Sequence, residues 1–337
     1  MGILNEWKIN PDDYSGFLER AKGRKVVVLL SSGGLRIVCH LPLLRIIESL
    51  GLHIDELWGV SAGSIAGGLW ASGRTAAELE DEILSVKKDQ IYEFFILTGL
   101  RGMFPSKNAE KAGLITGRKL ENYIANLVGP CDNPLLDIHD FHVLAYNRSL
   151  NCKSVIKVGS KPGTIVISEE KGGIVKVEKG TLANMLRASF STPVMFRPKR
   201  LNGQYYIDGG IAENYPIFTA FRHYEDDVLS GRESRGLLIM GVNIGYSGKF
   251  AEKASNIISS VTQCYDIVGN ELSRLQIALV EERIKNIGVN CEVITIDPGI
   301  YDLPLTDFKR VRSTLETALF KTVERLSNPH TAGKALH

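Results

Sequence analysis

The chain has 337 residues, of which 44% are apolar, enough to bury a sizeable core and too many for a disordered chain. Its formal charge of +2 argues against a polyanion-binding surface, so nucleic acid is not an expected partner. Five scattered cysteines (Cys39, Cys131, Cys152, Cys264 and Cys291), with no C-x-x-C pair, exclude a disulfide framework and a zinc ribbon, and point to free thiols in a reducing compartment.

Residues 1–23 are polar, carry the turn Asn10-Pro11-Asp12-Asp13 and read as a short leader with no signal-peptide pattern. Gly2 lacks the Ser or Thr that myristoylation needs, because position 6 is Glu6. No apolar run is long enough to span a bilayer. A cytoplasmic protein is expected. Residues 25–30 are a Val/Leu run, the pattern of a strand buried on both faces. The loop Ser31-Ser32-Gly33-Gly34 follows, then a helical stretch over 38–50 closed by Gly51. Residues 56–60 form the next strand, and Ser61 opens a helix rich in small residues. This is a βαβ unit, so its strands are parallel and both loops lie at one carboxyl edge of the sheet.

Further on, 155–158, 164–168 and 174–177 read as short strands and 182–189 as a helix. Residues 205–207 form a strand ending at Asp208, and 236–244 another buried strand. A long helix over 256–285, a strand over 292–296 and a helix over 307–326 complete the chain. No linker separates these elements. The expected organisation is a leader over 1–23, one domain over 24–326 and a tail over 327–337.

Gly59-Val60-Ser61-Ala62-Gly63 is the chain's one G-x-S-x-G, between a strand and a helix, the setting of a nucleophile elbow. Gly59 and Gly63 leave room for close strand–helix approach, and the helix N-terminus aims N–H groups at developing negative charge. The same residues also suit an ordinary Ser N-cap. The backbone of Gly33 and Gly34, with Ala62, is placed to face an oxyanion, although a tight βα turn has the same composition. A serine needs a proton acceptor. None of His40, His53, His139, His142, His223, His330 and His337 has a convincing setting; His223 reads as a helical surface residue. Asp208, at the end of a strand and before Gly209 and Gly210, can point across the sheet edge, or be part of a plain Asp-Gly-Gly turn.

Together these motifs resemble the patatin-like phospholipase family. The resemblance rests on Ser32-Gly33-Gly34-Leu35-Arg36, the Ser61 elbow, and Asp208-Gly209-Gly210 followed by Asn214-Tyr215-Pro216. Arg187-Ala188-Ser189 and Thr192-Pro193-Val194-Met195-Phe196 look like the family's segment before the Asp. It covers about residues 24–245 by motif. It implies a three-layer α/β/α patatin-like fold with a mostly parallel central sheet, and a Ser61–Asp208 dyad without histidine. Asn214 and Pro216 would fix the loop carrying Asp208. Two positions depart from the family: Ser32 replaces the first glycine of the loop, and Ile37 the glycine after Arg36. Ser32 keeps its N–H but has less backbone freedom. Arg36 either binds a phosphate or braces the loop.

The resemblance implies ester hydrolysis through an acyl-enzyme, with a membrane lipid or lysolipid as substrate and transient contact with a membrane surface. No cofactor and no metal are expected, since no EF-hand or clustered His/Cys pattern is present. The apolar residues Ile91-Tyr92-Glu93-Phe94-Phe95-Ile96-Leu97, Leu100 and Met103-Phe104-Pro105 suit a lid or membrane-touching surface, and equally a core helix with a loop. Arg101, Lys107 and Lys111 nearby suit lipid head groups or plain solvation. Two alternatives remain at this point: an acyltransferase on the same serine, and a catalytically silent binding module.

Overall fold

A strand with Val or Leu on both faces must be covered on both sides. Arg24–Leu30 and Gly236–Val242 are such strands, and each is buried after its first residue. The computed structural model describes residues 2–91, 113–128, 140–158, 164–171, 173–178, 180–244, 257–300, 303 and 307–327. Among them ten strands form one sheet. In chain order they are β1 Arg24–Leu30, β2 Glu56–Val60, β3 Asp140–Asn147, β4 Cys152–Val158, β5 Thr164–Glu169, β6 Gly173–Glu178, β7 Lys199–Leu201, β8 Gln204–Asp208, β9 Gly236–Val242 and β10 Cys291–Ile296.

The centre of the sheet, β10-β9-β1-β2-β3, is parallel throughout, as the βαβ reading requires. Beyond β3 the order continues through β4, β5 and β6 as an antiparallel extension. One face of the sheet packs Val26, Val28, Leu57 and Phe141 under the helices Leu41–Leu50, Ala62–Ala71, Leu182–Ser189 and Val311–Ser327. The opposite face packs Val27, Leu29 and Trp58 under the helices Ile217–Leu229 and Ile257–Ile284. The result is the three-layer α/β/α arrangement.

The strand β3 organises the site. Along one flank its first half pairs parallel with β2, Val60 opposite Leu144. Its second half pairs antiparallel with β8, Asp208 opposite Ala145. The carboxyl ends of β2 and β8 therefore meet head to head on neighbouring residues of a third strand.

Three local features differ from the sequence reading. The polar leader holds short helices Ile3–Glu6 and Ser15–Ala21, and Leu4, Tyr14 and Phe17 are buried. Its start is held by Glu80, whose carboxylate accepts from the N–H groups of Ile3 (2.6 Å) and Leu4 (2.7 Å). The stretch expected as one helix over 38–50 is a 3-10 turn, Gly34–His40, followed by the helix Leu41–Leu50. Pro42, in its first turn, lacks the N–H that would extend an α-helix backwards. The strand β3 went unread because it shows no clean alternation when both its faces are buried.

Candidate active site

Ser61 ends the turn between β2 and the helix Ala62–Ala71 with φ 51° and ψ −117°. A side-chain-bearing residue with positive φ costs roughly 1–3 kcal/mol and survives only where its neighbours over-determine it. They do so here. The Ser61 N–H donates to Ser189 Oγ (2.8 Å), which donates to the Leu144 carbonyl on β3 (2.5 Å). Ser64 Oγ donates back to the Ser61 carbonyl (2.6 Å), and the Gly63 N–H donates to the Ser31 carbonyl (3.1 Å). Any side chain on Gly63 would collide with the Leu30 carbonyl, so this glycine lets the helix press on the end of β1.

Ser61 Oγ donates to Asp208 Oδ2 at 2.8 Å. The same oxygen accepts from Thr192 Oγ1 (2.6 Å), and Asp208 Oδ1 accepts from the Gly210 N–H (2.8 Å). Asp208 is buried, and among the described residues no cation stands beside it. Burial pushes its carboxyl above the usual range, while the bonds from Thr192, Gly210 and Ser61 pull the other way without cancelling it. The bend after Asp208 presses Gly209 so closely on the Leu144 carbonyl that a side chain there would clash.

The glycine loop is tied to both partners. Ser32 N–H donates to the Asn214 carbonyl (2.9 Å), and Ser32 Oγ donates to Asn214 Oδ1. The residue that departs from the family pattern thus clasps the segment that follows Asp208. Arg36 braces the loop from within: its Nε donates to the Gly33 carbonyl (3.1 Å) and its Nη1 to the Ile300 carbonyl (3.4 Å). Gly34 takes φ 58° and, with Ser61, Ala62 and Thr192, lines one cavity whose other walls are mostly apolar. Gly33 sits against Ile244 and is not among the cavity's lining residues. Ile37 lines the cavity. Pro216 caps the helix Ile217–Leu229, and Tyr215 between it and Asn214 is buried.

No described histidine faces this pair. His40 lies beneath the loop with Nε2 2.9 Å from the Ser31 carbonyl, and burial takes its ring down to about 3, so it is neutral. His223 is helical with its side chain 41% exposed, as expected of a surface residue, and its Nδ1 lies 3.2 Å from Glu56 Oε1 at the amino end of β2. Val60 is four steps along the strand from Glu56, so this cluster is on the order of 13 Å from the elbow. Glu56, His223 and Asp227 have the donor set of a metal site. However, the Lys25 ammonium already fills the space between them, 2.6 Å from Glu56 Oε1 and 3.6 Å from Asp227 Oδ2. Cys39, Cys152, Cys264 and Cys291 are free thiols. Cys131, His139, His330, His337 and the apolar and basic segment after Ile91 lie outside the described residues.

The sequence reading missed the roles of Ser189 and Thr192 and the strand β3. Ser189, Ser191 and Thr192 bunch three hydroxyls ahead of the strand leading to Asp208, the one local signal available. No described helix is long and apolar enough to cross a membrane.

Residues 28–221 match the family described as patatin-like phospholipase, more than half of the chain. An uncharacterized NTE family protein of Mycobacterium tuberculosis is 27% identical over 194 residues, 57% of this chain and 44% of that one. Lysophospholipase NTE1 of Candida albicans is 25% identical over 210 residues, 62% of this chain and 13% of that one. The chain spans less than half the length of these curated relatives. Among solved structures, VipD from Legionella pneumophila superposes with a TM-score of 0.42 at 14% identity, covering 90% of this chain and 67% of that one. With the family match running from β1 through the elbow and Asp208 into the helix Ile217–Leu229, the chain belongs to the patatin-like phospholipase family.

Proposed function

We propose that the protein is a serine lipid-acyl hydrolase, cleaving carboxylic esters of phospholipids or lysophospholipids through an acyl-enzyme on Ser61 with Asp208 as base. The observation that carries this is the 2.8 Å hydrogen bond from Ser61 Oγ, which lines a mostly apolar cavity, to a buried carboxylate that has no cation beside it among the described residues. The family's description and the name of the Candida relative support the substrate class.

In this mechanism Asp208 accepts the Ser61 proton as Oγ attacks the acyl carbonyl. N–H groups of Gly34 and Ala62, with Gly33 behind them, hold the oxyanion. Ala62 contributes because first-turn N–H groups of a helix have no acceptor within it. The proton on Asp208 passes to the leaving alcohol. Water then enters, gives its proton to Asp208 and releases the fatty acid, and Ser61 recovers its hydrogen. The high carboxyl pKa suits both halves, since Asp208 must hold a proton briefly without a cation opposing it.

The test is to incubate purified protein with a fluorophosphonate and locate the adduct by mass, alongside a panel of diacyl and monoacyl phospholipids analysed for released fatty acid. Labelling at Ser61 with fatty acid release is the expected result. A folded protein that neither labels nor releases fatty acid is a binding module instead.

A further inference from the structure

The cavity beside Ser61 has a direction, read from which side chains line it. From the helix Ala62–Ala71 come Ala62, Ile65, Ala66 and Leu69, one i, i+3, i+4, i+7 stripe running from the nucleophile to the last turn. The helix Ala76–Ser85 supplies Leu79, Glu82 and Ile83, and the helix Arg118–Val128 supplies Leu120, Tyr123, Ile124 and Leu127 at the same spacing. Each helix therefore presents one full apolar face to the cavity, broken once, where Tyr123 Oη donates to Glu82 Oε1.

The far ends of the stripes are tied together. Arg74, just past the first helix, donates through Nε (3.3 Å) and Nη2 (3.0 Å) to the Leu127 carbonyl near the end of Arg118–Val128. Thr75 beside it caps the helix that carries Leu79. Leu69, Leu79 and Leu127 thus stand at one end, and Ser61 with Thr192 and Leu35 at the other. At about 1.5 Å per residue, Leu69 is roughly 12 Å along the helix from Ser61. An extended hydrocarbon advances about 1.25 Å per carbon with bonds near 1.5 Å.

We propose that this groove measures the acyl chain, accepting about ten carbons, with Leu69, Leu79 and Leu127 as the stop. The inference rests on the hydrolase reading for its substrate but not for its geometry. Each methylene up to the stop gains about fourfold in kcat/KM at most, from apolar area removed from water. Beyond the stop the gain ends, because further carbons must displace packed leucines.

The experiment is a series of p-nitrophenyl esters from C4 to C18, read as the chain length at maximal kcat/KM. The wild type should peak near C10. Leu69→Ala and Leu127→Ala should move the peak two or three carbons longer, and Leu69→Phe should move it shorter. Leu275→Ala, on an exposed helix face, should leave it in place. Leu69 is buried and Leu127 half-buried, so the second variant protects the test against misfolding of the first. A peak unmoved by all three groove variants, or a wild-type profile rising steadily to C18, overturns the proposal. Binding to Ser61→Ala separates this from failure of the hydrolase reading: fatty acids of C6 to C18 should raise its Tm most near C10. That pattern without ester cleavage would sink the hydrolase and keep the ruler. Cleavage with no length optimum in either assay would do the reverse.

Discussion

Two carboxylates stand at the two ends of β2, Glu56 as its first residue and Asp208 facing the turn that follows its last, and both are 2% exposed. Their acidities move in opposite directions. Burial would raise Glu56, yet His223, His142 and Lys25 outweigh it and hold that carboxyl far below the usual range. Lys25 Nζ touches it at 2.6 Å and Trp58 Nε1 at 2.8 Å. Among the described residues Asp208 meets the same burial with hydroxyls and one backbone N–H only, and its carboxyl goes up. Burial alone does not decide what a carboxylate does; the charge of its partners does. Glu56 is held as an anion in a structural cluster, while the raised carboxyl of Asp208 suits the proton transfer proposed for it.

The comparison breaks most visibly at the site itself. Ser61→Ala and Asp208→Asn should each lower kcat/KM for a short acyl ester by about 10³-fold or more, measured with circular dichroism to show an intact fold. Turnover retained in Ser61→Ala would end the nucleophile assignment. Glu56→Gln should instead cost about 3 kcal/mol of stability by leaving Lys25 poorly compensated, seen as a lower urea midpoint. Its sign with pH is fixed. A depressed carboxyl stabilises fully above its unfolded value near 4.5 and progressively less as pH falls toward the folded value, so the gap between Glu56→Gln and wild type should shrink in acid.

Thr192→Val sharpens the contrast. Asp208 must be ionised to act as base, so the acid limb of kcat/KM should lie above the ordinary 3.8. Removing the Thr192 donor raises the carboxyl further and should shift that limb to higher pH, with the loss of kcat/KM greatest on the acid side of the profile. An unmoved limb would show that Thr192 does not set the acidity. Ser32→Gly restores the family's usual residue and removes the clasp on Asn214; the loss in kcat/KM should be about fivefold, the worth of one hydrogen bond. Equal or higher activity would mean that loop freedom matters more than the clasp.

Much of this was legible in the residues. The parallel core followed from Val/Leu runs and from the βαβ spacing of 25–72. Ser61, Asp208 and the glycine loop were marked by their turn chemistry, because a sharp bend leaves few choices of residue. The meeting of Ser61 with Asp208 was implied by the family resemblance and left open by the Asp-Gly-Gly turn itself, because it depends on β3, whose pairing is a long-range matter. Ser32 reads in sequence as a weakened glycine and in the fold as a clasp, since its partner lies 182 residues away. The leader misled for a related reason: Leu4, Tyr14 and Phe17 are too few and too spaced to show a period, and only the surface they cover explains them.

The left-handed backbone at Ser61 carries one more consequence. Glycine would rest there without the steric penalty that serine bears, so Ser61→Gly should melt higher than Ser61→Ala even though neither retains the hydroxyl. Optimising this chain for thermal tolerance alone would therefore discard the proposed nucleophile early. Durability and reactivity compete at a single backbone torsion.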